Sequence, residues 1–251
     1  MKTSSPPQGA QAAIRAIRLL KAFTVDQPEL SLAELSKRIG LNKTTAHRLL
    51  AALESEALVE KTNVRGTYRL GPGTVALGAQ AQSTNHLRVR TRPTLERLAR
   101  LTRETVSLEV LLGEEVMTLD EVDGGQMLNA TGYVGMRWPA YATSSGKAIL
   151  AKQSVEDDFF SKPFESLTQA TIPDFISLQK DLSRTRRLGY ATDIDELEHG
   201  YTSVAVALSD AAYDNAAICI GGPSARLSRD RRKELGRALI REIEHLRHSV
   251  N

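Results

Sequence analysis

The stretch LSLAELSKRIGLNKTTAHRLLAALESEALVEKTNVRGTYRLG, residues 30–71, decides the fold of the first part of the chain. Ser31 followed three residues later by Glu34 is the pattern of a capping box, which marks the start of a helix. Gly40 ends that helix, and Asn42 is a typical N-cap for the next one. Two helices joined by a short glycine-containing turn predict a helix-turn-helix. The expected limits of the two helices are residues 32–39 and 43–55.

The second of these helices has polar and cationic residues where a recognition helix meets DNA. Its apolar positions hold it against its neighbours, which leaves its N-terminal end, the part that enters a major groove, free to make contacts. Lysine and arginine donate to guanine or phosphate, threonine offers a hydroxyl and a methyl group, and helix N-termini favour phosphates. The predicted DNA contacts of the two helices are Ser31, Asn42, Lys43, Thr44, Thr45, His47 and Arg48.

A hairpin is predicted directly after the second helix. Residues 58–70 contain two short runs typical of strands, on either side of a turn at residues 63–66. A hairpin in this place is a wing, and its cationic side chains suit phosphates or a minor groove. These side chains are Lys61, Arg65 and Arg69. The alternative is a protein-interaction module with a solvated basic face, but the complete order of elements favours DNA binding.

The charge of the chain is unevenly distributed. Residues 1–103 carry 17 Lys and Arg against 7 Asp and Glu, while residues 104–251 carry 16 against 23. This split indicates an anionic partner for the first part only, with chance surface charge as the alternative explanation. The single cysteine, Cys219, excludes an internal disulfide and a cysteine-based metal site.

The sequence contains neither a membrane-spanning pattern nor a secretion signal. No apolar run approaches the length of about 18 residues that a transmembrane helix needs. Residues 1–9 lack the apolar core of a signal peptide and are expected to form a disordered tail. We therefore expect a cytoplasmic protein that does not associate with membranes.

The remainder of the chain predicts an α+β domain. A boundary at Gly71 is followed by a helix rich in small residues over residues 72–86, which we interpret as a linker. From Thr105 the pattern alternates as in strands, and strands and helices then follow one another. We therefore predict a winged helix-turn-helix over residues 10–71 and a sensor domain over residues 87–251. Other expected helices cover residues 12–23, 87–103, 145–152, 176–188 and 229–248.

Five segments carry a resemblance to a known family: LAELSKRIGLNKTTAHRLLAALESEALVE, YRLGPGTVALG, YVGMRWPAYATSSGKAILA, GYATDIDELEHGYTSVAVAL and AAICIGGPSARLS. In this order, over residues 10–248, the chain resembles the IclR family of bacterial transcription regulators. The resemblance implies an N-terminal winged helix, a linker helix and a C-terminal effector domain with a GAF/PAS-like fold. It also implies homodimers or tetramers that bind pseudo-palindromic operator DNA.

The resemblance also implies where an effector binds, beside the loop before the GKA segment and on the later strands. The corresponding residues are Ser144, Ser145, Asp193, Tyr201, Ser203, Cys219 and Gly221. Family members often have hydroxyl residues at the last two positions. This chain lacks those two polar anchors, which makes an oxalate-like or pyruvate-like ligand less favoured.

The residues themselves indicate an anion-binding loop. Residues 144–146 lie at a predicted helix N-terminus, where free N–H groups and the helix dipole attract a carboxylate. The alternative is that Ser144 or Ser145 serves only as the N-cap. Arg137 either pairs with a ligand carboxylate or braces the loop. We expect a small organic acid as effector and no cofactor.

Aromatic and sulfur-containing side chains near this loop suggest that the acid is an aromatic one. Binding pockets are mostly apolar with few polar anchors, so such side chains would form a wall that accepts a ring. Ordinary core packing explains them equally well. The residues concerned are Met136, Trp138 and Tyr141, with Tyr133 in a similar position.

Short patterns that resemble enzyme or metal motifs do not support catalysis. Ser144 and Lys147 fit S-x-x-K, but the companion S-D-N and K-T-G elements are absent. The same segment lacks the first glycine of a phosphate loop. His199 lies among acidic residues whose spacing does not converge on a metal. The rival functions are a small-molecule enzyme with an accessory winged helix and a protein-interaction module.

Overall fold

The computed structural model describes residues 10–127, 132–208 and 213–248 of the 251. The chain forms two compact units, Met1–Thr84 and Asn85–Asn251. The predicted tail, residues 1–9, lies outside the described residues. The limits expected for the winged helix, the linker and the second domain stay predictions. No helix in the described ranges is long and apolar enough to cross a bilayer.

The first unit is a winged helix-turn-helix followed by one more helix. Its three strands form an antiparallel sheet in the order β1-β3-β2. The elements are α1 (Gln11–Leu20), β1 (Glu29–Ser31), α2 (Leu32–Ile39), α3 (Lys43–Ser55), β2 (Val59–Lys61), β3 (Thr67–Leu70) and α4 (Pro72–Thr84). The limits expected for α2 and α3 are confirmed, whereas β1 was not predicted and α1 ends three residues earlier than expected.

Local hydrogen bonds explain why α2 and α3 begin and end where they do. The Ser31 hydroxyl accepts the N–H of Glu34 at 3.3 Å, and the Glu34 carboxylate accepts the N–H of Ser31 at 2.8 Å. Gly40 closes α2 in the left-handed conformation, with φ of +68°. The Asn42 side chain accepts the N–H of Thr45 at 2.8 Å and so caps α3. These contacts turn the chain sharply between the two helices.

The second unit is built on a six-stranded antiparallel sheet of order β6-β5-β4-β9-β8-β7. Its strands are β4 (Thr105–Leu112), β5 (Glu115–Val122), β6 (Arg137–Pro139), β7 (Ala191–Ile194), β8 (Tyr201–Ala207) and β9 (Ala216–Pro223). Its helices are α5 (His86–Thr102), α6 (Ser144–Leu150), α7 (Phe175–Leu188) and α8 (Arg229–His248).

The two faces of this sheet carry different layers. On one face, Leu95 of α5 and Leu239 of α8 share a buried cluster with Val106 and Ile218 of the central strands. On the other face, Ile149 of α6 packs in a second cluster with α7. Because side chains alternate along a strand, Thr105, Ser107 and Glu109, which alternate with Val106 and Leu108, must face the second layer. The polar site therefore lies on the α6 side of the sheet.

The start of α6 differs from expectation. The helix begins at Ser144 rather than Ser145, and Thr143 is its N-cap, since the Thr143 hydroxyl accepts the N–H of Gly146 at 3.1 Å. A Cβ on Gly146 would collide with the backbone of Ala140. This close approach keeps α6 against the preceding turn. Neither Ser144 nor Ser145 is occupied with capping, so both hydroxyls are free to bond side chains of the sheet.

Asn42→Ala is expected to lower the free energy of unfolding by about 1 kcal/mol, because it removes the cap of α3. Urea denaturation of the full chain, followed by far-UV circular dichroism, measures this change. Thr44→Ala is the matched control, since Thr44 lies two residues after Asn42, is exposed and does not cap the helix. Equal stability of the two variants would contradict the capping role.

Candidate functional site

The exposed surface of α3 carries most of the predicted DNA contacts. Ala46, Leu50 and Leu53 are buried, while the opposite side of the helix faces solvent. Exposed there are Asn42, Lys43, Thr44, His47 and Arg48, with Thr45 partly buried. This is the surface chemistry that a recognition helix needs. Ser31 has a local task in the capping box, so its hydroxyl is already hydrogen-bonded.

The cationic residues of the hairpin have carboxylate neighbours that the sequence did not indicate. Lys61 Nζ lies 2.7 Å from Glu54, and Arg69 Nε lies 2.6 Å from Glu60. Arg65 is exposed in the turn between β2 and β3. Exposed ion pairs of this kind contribute little to stability, so Lys61 and Arg69 can exchange them for phosphates.

A cavity opens on the α6 side of the sheet in the second unit. It has a volume of about 40 Å³, measured as the space open to the centre of a water-sized sphere. The floor of the cavity is formed where four strands pair. Thr105 of β4 lies opposite Gly221 of β9, and Gly221 also lies opposite Ser203 of β8. Ser203 in turn lies opposite Asp193 of β7. Four neighbouring strands thus place small or polar groups side by side.

Eight of the ten predicted effector-binding residues line this cavity. They are Trp138, Ser144, Ser145, Asp193, Tyr201, Ser203, Cys219 and Gly221. A Cβ on Gly221 would collide with the hydroxyl of Tyr201. The absence of a side chain at position 221 therefore lets the Tyr201 ring lie across the neighbouring strand.

Two predicted residues do not reach the cavity. The Tyr141 ring stacks on Phe164 with centroids 4.0 Å apart, and its hydroxyl accepts the N–H of Glu165 at 2.9 Å. The short 3-10 turn before α6 directs the ring towards this separate aromatic cluster. Met136 lies in a turn in which its N–H donates to the carbonyl oxygen of Tyr133. The ring that contacts Trp138, edge-on, is that of Tyr133. Neither Met136 nor Tyr141 is therefore among the residues that line the cavity.

The cavity also has lining residues that sequence reasoning missed. They are Thr105, Ser107, Glu109, Thr118, Glu121, Thr143, Leu197 and Glu198. Tyr133, which the sequence analysis placed beside the proposed aromatic wall, also lines the cavity. The signal for three of them was present in TVSLEV, where polar residues occur at every second position of an apolar strand. Such alternation indicates a strand with one polar face.

The serine hydroxyls at the start of α6 are tied to the sheet. Ser144 Oγ lies 2.7 Å from Ser203 Oγ and 3.4 Å from Cys219 Sγ. Ser145 donates to the carboxylate of Glu109, which also accepts the hydroxyl of Ser107 at 2.8 Å. These bonds hold the polar groups of the cavity in one arrangement.

Burial changes the protonation of the groups in this network. It raises the pKa of Glu109, against the lowering effect of the Ser145 and Ser107 hydroxyls. Burial, together with the charge of Glu196, raises the pKa of Asp193 to about 7. Burial also raises the pKa of the Cys219 thiol. Cys219 is therefore an unreactive thiol, as expected for a small buried side chain.

The cations near the cavity are engaged elsewhere. Lys147 is fully buried, and its ammonium lies 2.7 Å from Glu196 and 3.1 Å from Asp181. Arg137 pairs on the surface with Glu115 at 3.4 Å. Because Ser144 contacts Ser203 rather than Lys147, no nucleophile–base pair of the S-x-x-K type is formed. Among the described residues, no group of three or more His, Cys, Asp or Glu side chains could hold a metal ion.

A winged helix joined to an α+β domain with an enclosed polar cavity defines a DNA-binding regulator that senses a small molecule. Residues 12–63 match the model of the IclR helix-turn-helix domain, and residues 79–246 match that of the bacterial transcriptional regulator IclR C-terminal domain. The chain therefore belongs to the IclR family, and it is a transcriptional regulator with a C-terminal effector-binding domain rather than an enzyme.

Individual relatives cover nearly the whole chain. HTH-type transcriptional regulator Rv1719 of Mycobacterium tuberculosis is 35% identical over 240 residues, covering 92% of this chain and 89% of the relative. HTH-type transcriptional repressor AllR of Escherichia coli is 30% identical over 243 residues, covering 94% and 90%. An IclR homologue from Microbacterium hydrocarbonoxydans, solved in complex with 4-hydroxybenzoate, has a TM-score of 0.76 at 25% identity and coverage of 94% and 99%.

Asp193→Asn is expected to change how stability depends on pH. A folded-state pKa of about 7, above the usual 3.8, means that the folded state holds a proton that the unfolded state has lost. This group therefore makes the wild type less stable as pH rises from about 4 to about 7, by at most about 4 kcal/mol. Asparagine keeps the oxygen that accepts the N–H groups of Glu196 and Leu197.

Thermal unfolding at pH 5 and pH 8 measures this effect. The Tm of Asp193→Asn relative to wild type should be higher at pH 8 than at pH 5. Asp158→Asn, at an exposed position of the same unit, is the matched control and should follow the wild type at both values. The same Tm difference at both pH values would rule out the titration of Asp193.

Proposed function

We propose that this regulator binds operator DNA through α3 and the β2–β3 hairpin, and that a small organic carboxylic acid in the cavity changes that binding. The observation that carries the proposal is the presence, in one chain, of an exposed polar-basic α3 and a buried polar cavity. Aromatic acids are included in the class of effector. The regulator works in the cytoplasm on the DNA upstream of its target genes.

The DNA part of the proposal is supported by the two sides of α3, one of which is buried while the other is exposed. Its buried residues fix the helix in the first unit, while Lys43, Thr44 and Arg48 remain exposed at its N-terminal end. A recognition helix contacts base edges with that end. Arg65 in the turn of the hairpin suits a phosphate or a minor groove.

The effector part is supported by hydroxyl groups that converge on the cavity. Ser144, Ser203 and Thr105 all line it, and hydroxyls are ready donors to a carboxylate, whereas the Ser145 hydroxyl already donates to Glu109. A volume of about 40 Å³ admits roughly three waters, which suits an acid of few heavy atoms. An aromatic acid would require the edge-on pair of Tyr133 and Trp138 to move apart. The homologue solved with 4-hydroxybenzoate supports including this larger class.

Effector and DNA are coupled through the population of two conformations. A ligand shifts operator binding only if it binds more tightly to one arrangement of the paired winged helices than to the other. Pairing is required because one winged helix reads a single half-site. We propose a homodimer, or a tetramer made of two such dimers, as the active form.

Helix α4 is the surface that we propose for pairing with a second copy. None of its residues is buried, and Val75 and Leu77 are 72% and 58% exposed. The small residues Gly78, Ala79 and Ala81 would let two such helices approach closely. An exposed apolar helix of this kind is typical of an interaction surface.

Leu77→Glu is expected to dissociate the oligomer, because a charge on the proposed interface must be desolvated to form it. Light scattering coupled to size-exclusion chromatography measures the mass. Gln80→Glu, which adds the same charge at another exposed position of α4, is the matched control and should perturb assembly less. Retention of the wild-type mass by Leu77→Glu would place the interface elsewhere.

Arg48→Ala is expected to weaken operator binding by ~1–3 kcal/mol if Arg48 reads a base. Fluorescence anisotropy on DNA from upstream of the protein's own gene and on scrambled DNA, across a salt series, separates the two kinds of contact. An equal loss on both DNAs would reassign Arg48 to a phosphate. Arg100→Ala, at an exposed arginine of the second unit, is the control. No selectivity for upstream DNA by the wild type would overturn the DNA part of the proposal.

The same titration, repeated with a panel of small carboxylic acids that includes 4-hydroxybenzoate, tests the effector part. One acid should shift the midpoint of operator binding, and Ser144→Ala should reduce that shift by removing a hydroxyl from the cavity. An unchanged midpoint with every acid of the panel would overturn the proposed effector class and leave the DNA part intact.

A further inference from the structure

The cavity has an unusual charge balance for a site that binds an acid. Four carboxyl groups line it, on four different segments of the second unit: Glu109, Glu121, Asp193 and Glu198. No lysine, arginine or histidine is among its described lining residues.

Lys147 and Arg137, the two cations near the cavity that could pair with a ligand carboxylate, already form ion pairs with other side chains. Lys147 is held by Glu196 and Asp181 in the interior, and Arg137 pairs with Glu115 on the surface. The Ser145 hydroxyl already donates to Glu109. An organic acid without a positive charge would therefore meet four carboxyl groups and no cation among the described lining residues, and each carboxyl group that is ionised repels it.

The aromatic side chains of the cavity favour the opposite charge. Tyr133, Trp138 and Tyr201 all line it, and Tyr133 and Trp138 meet edge-on with centroids 5.8 Å apart. Aromatic faces attract organic cations, and desolvated sites strengthen this attraction. Carboxylates next to aromatic faces are the surroundings in which a substituted ammonium is stable.

The carboxylates at the floor of the cavity are held in place before any ligand binds. Glu109 accepts hydroxyls from Ser107 and Ser145, and Asp193 accepts the N–H groups of Glu196 and Leu197. Glu109 is 8% exposed, and Asp193 is fully buried. A nearby cation would stabilise the ionised form of these buried groups, which burial alone disfavours.

One buried hydroxyl lacks a partner and points to a bound molecule. Thr105 is 5% exposed and lines the cavity, and its Oγ1 has no hydrogen-bond partner within the described chain. Buried polar atoms are nearly always hydrogen-bonded, so a missing partner is informative. A polar group of the ligand would complete it.

We propose that the effector carries a positively charged nitrogen, so that the organic acid sensed by this regulator is a zwitterion of the amino-acid or betaine type. The nitrogen is neutralised by the carboxylates of the cavity and faces its aromatic wall. This inference rests on the proposed function and narrows the effector class within it. The carboxylate of the same molecule uses the unpartnered Thr105 hydroxyl and the Ser144–Ser203 pair, since Ser145 already donates to Glu109.

A set of small probes of similar size tests the charge preference directly on the full-length protein, without DNA. The probes are butyrate, butylamine, 2-aminobutyrate and 4-aminobutyrate, each titrated calorimetrically at constant ionic strength. At least one amino acid is expected to bind ten times more tightly than butyrate. Glu109→Gln should abolish this preference while keeping an oxygen for the serine hydroxyls, and Glu115→Gln, on the exposed side of the same hairpin, is the matched control.

The outcomes separate this inference from the proposed function. Binding of butyrate as tightly as both amino acids, or no binding of either amino acid, would overturn the zwitterion and leave the regulator itself untouched. Butylamine binding as tightly as the amino acids would support the cationic nitrogen but overturn the acid part of the proposed function. An amino-acid preference that survives in Glu109→Gln and Asp193→Asn would remove the carboxylates as its cause and so overturn the inference.

Discussion

One buried cation organises the side of the effector domain that contains the cavity. The side chain of Lys147 is fully excluded from solvent, with its ammonium between Glu196 and Asp181. Loss of either carboxylate would leave a charge uncompensated in the interior, which is strongly unfavourable. Helix α6, helix α7 and the segment after β7 are therefore held together around one charge. Everything that α6 presents to the cavity, including the two serine hydroxyls, depends on that arrangement.

The same ion pairs determine the electrostatics of the site. The ammonium of Lys147 is neutralised by Glu196 and Asp181, and its charge also lowers the pKa of Asp193 at the cavity, while no lysine, arginine or histidine is among the described lining residues. The first unit has the opposite character, with Lys43, Arg48 and Arg65 exposed to solvent. Exposed cations of this kind attract phosphates to the first unit. The uneven distribution of charge along the sequence does not follow the division into units, because six of the arginines counted in residues 1–103 lie in the second unit.

How much of this was predictable from the sequence depends on how local each determinant is. The limits of α2 and α3 follow from caps that lie within a few residues, so Ser31, Gly40 and Asn42 were sufficient. The polar floor of the cavity is assembled from four strands, and the family resemblance indicated Asp193, Ser203 and Gly221 but not Thr105. Glu109 was missed because its burial depends on α6 and β9, which are distant in sequence. Tyr141 was misplaced because a single 3-10 turn, invisible in the hydrophobic pattern, directs its ring to Phe164.

The contact between Gly221 and Tyr201 has a consequence for how the specificity of this pocket can diverge. Any side chain at position 221 would occupy the space of the Tyr201 hydroxyl, so the two positions cannot both be large. A pocket that gains a side chain at position 221 requires the Tyr201 ring to shift or to be replaced. Ligand preference at this site is therefore expected to change by coupled replacements at positions 201 and 221.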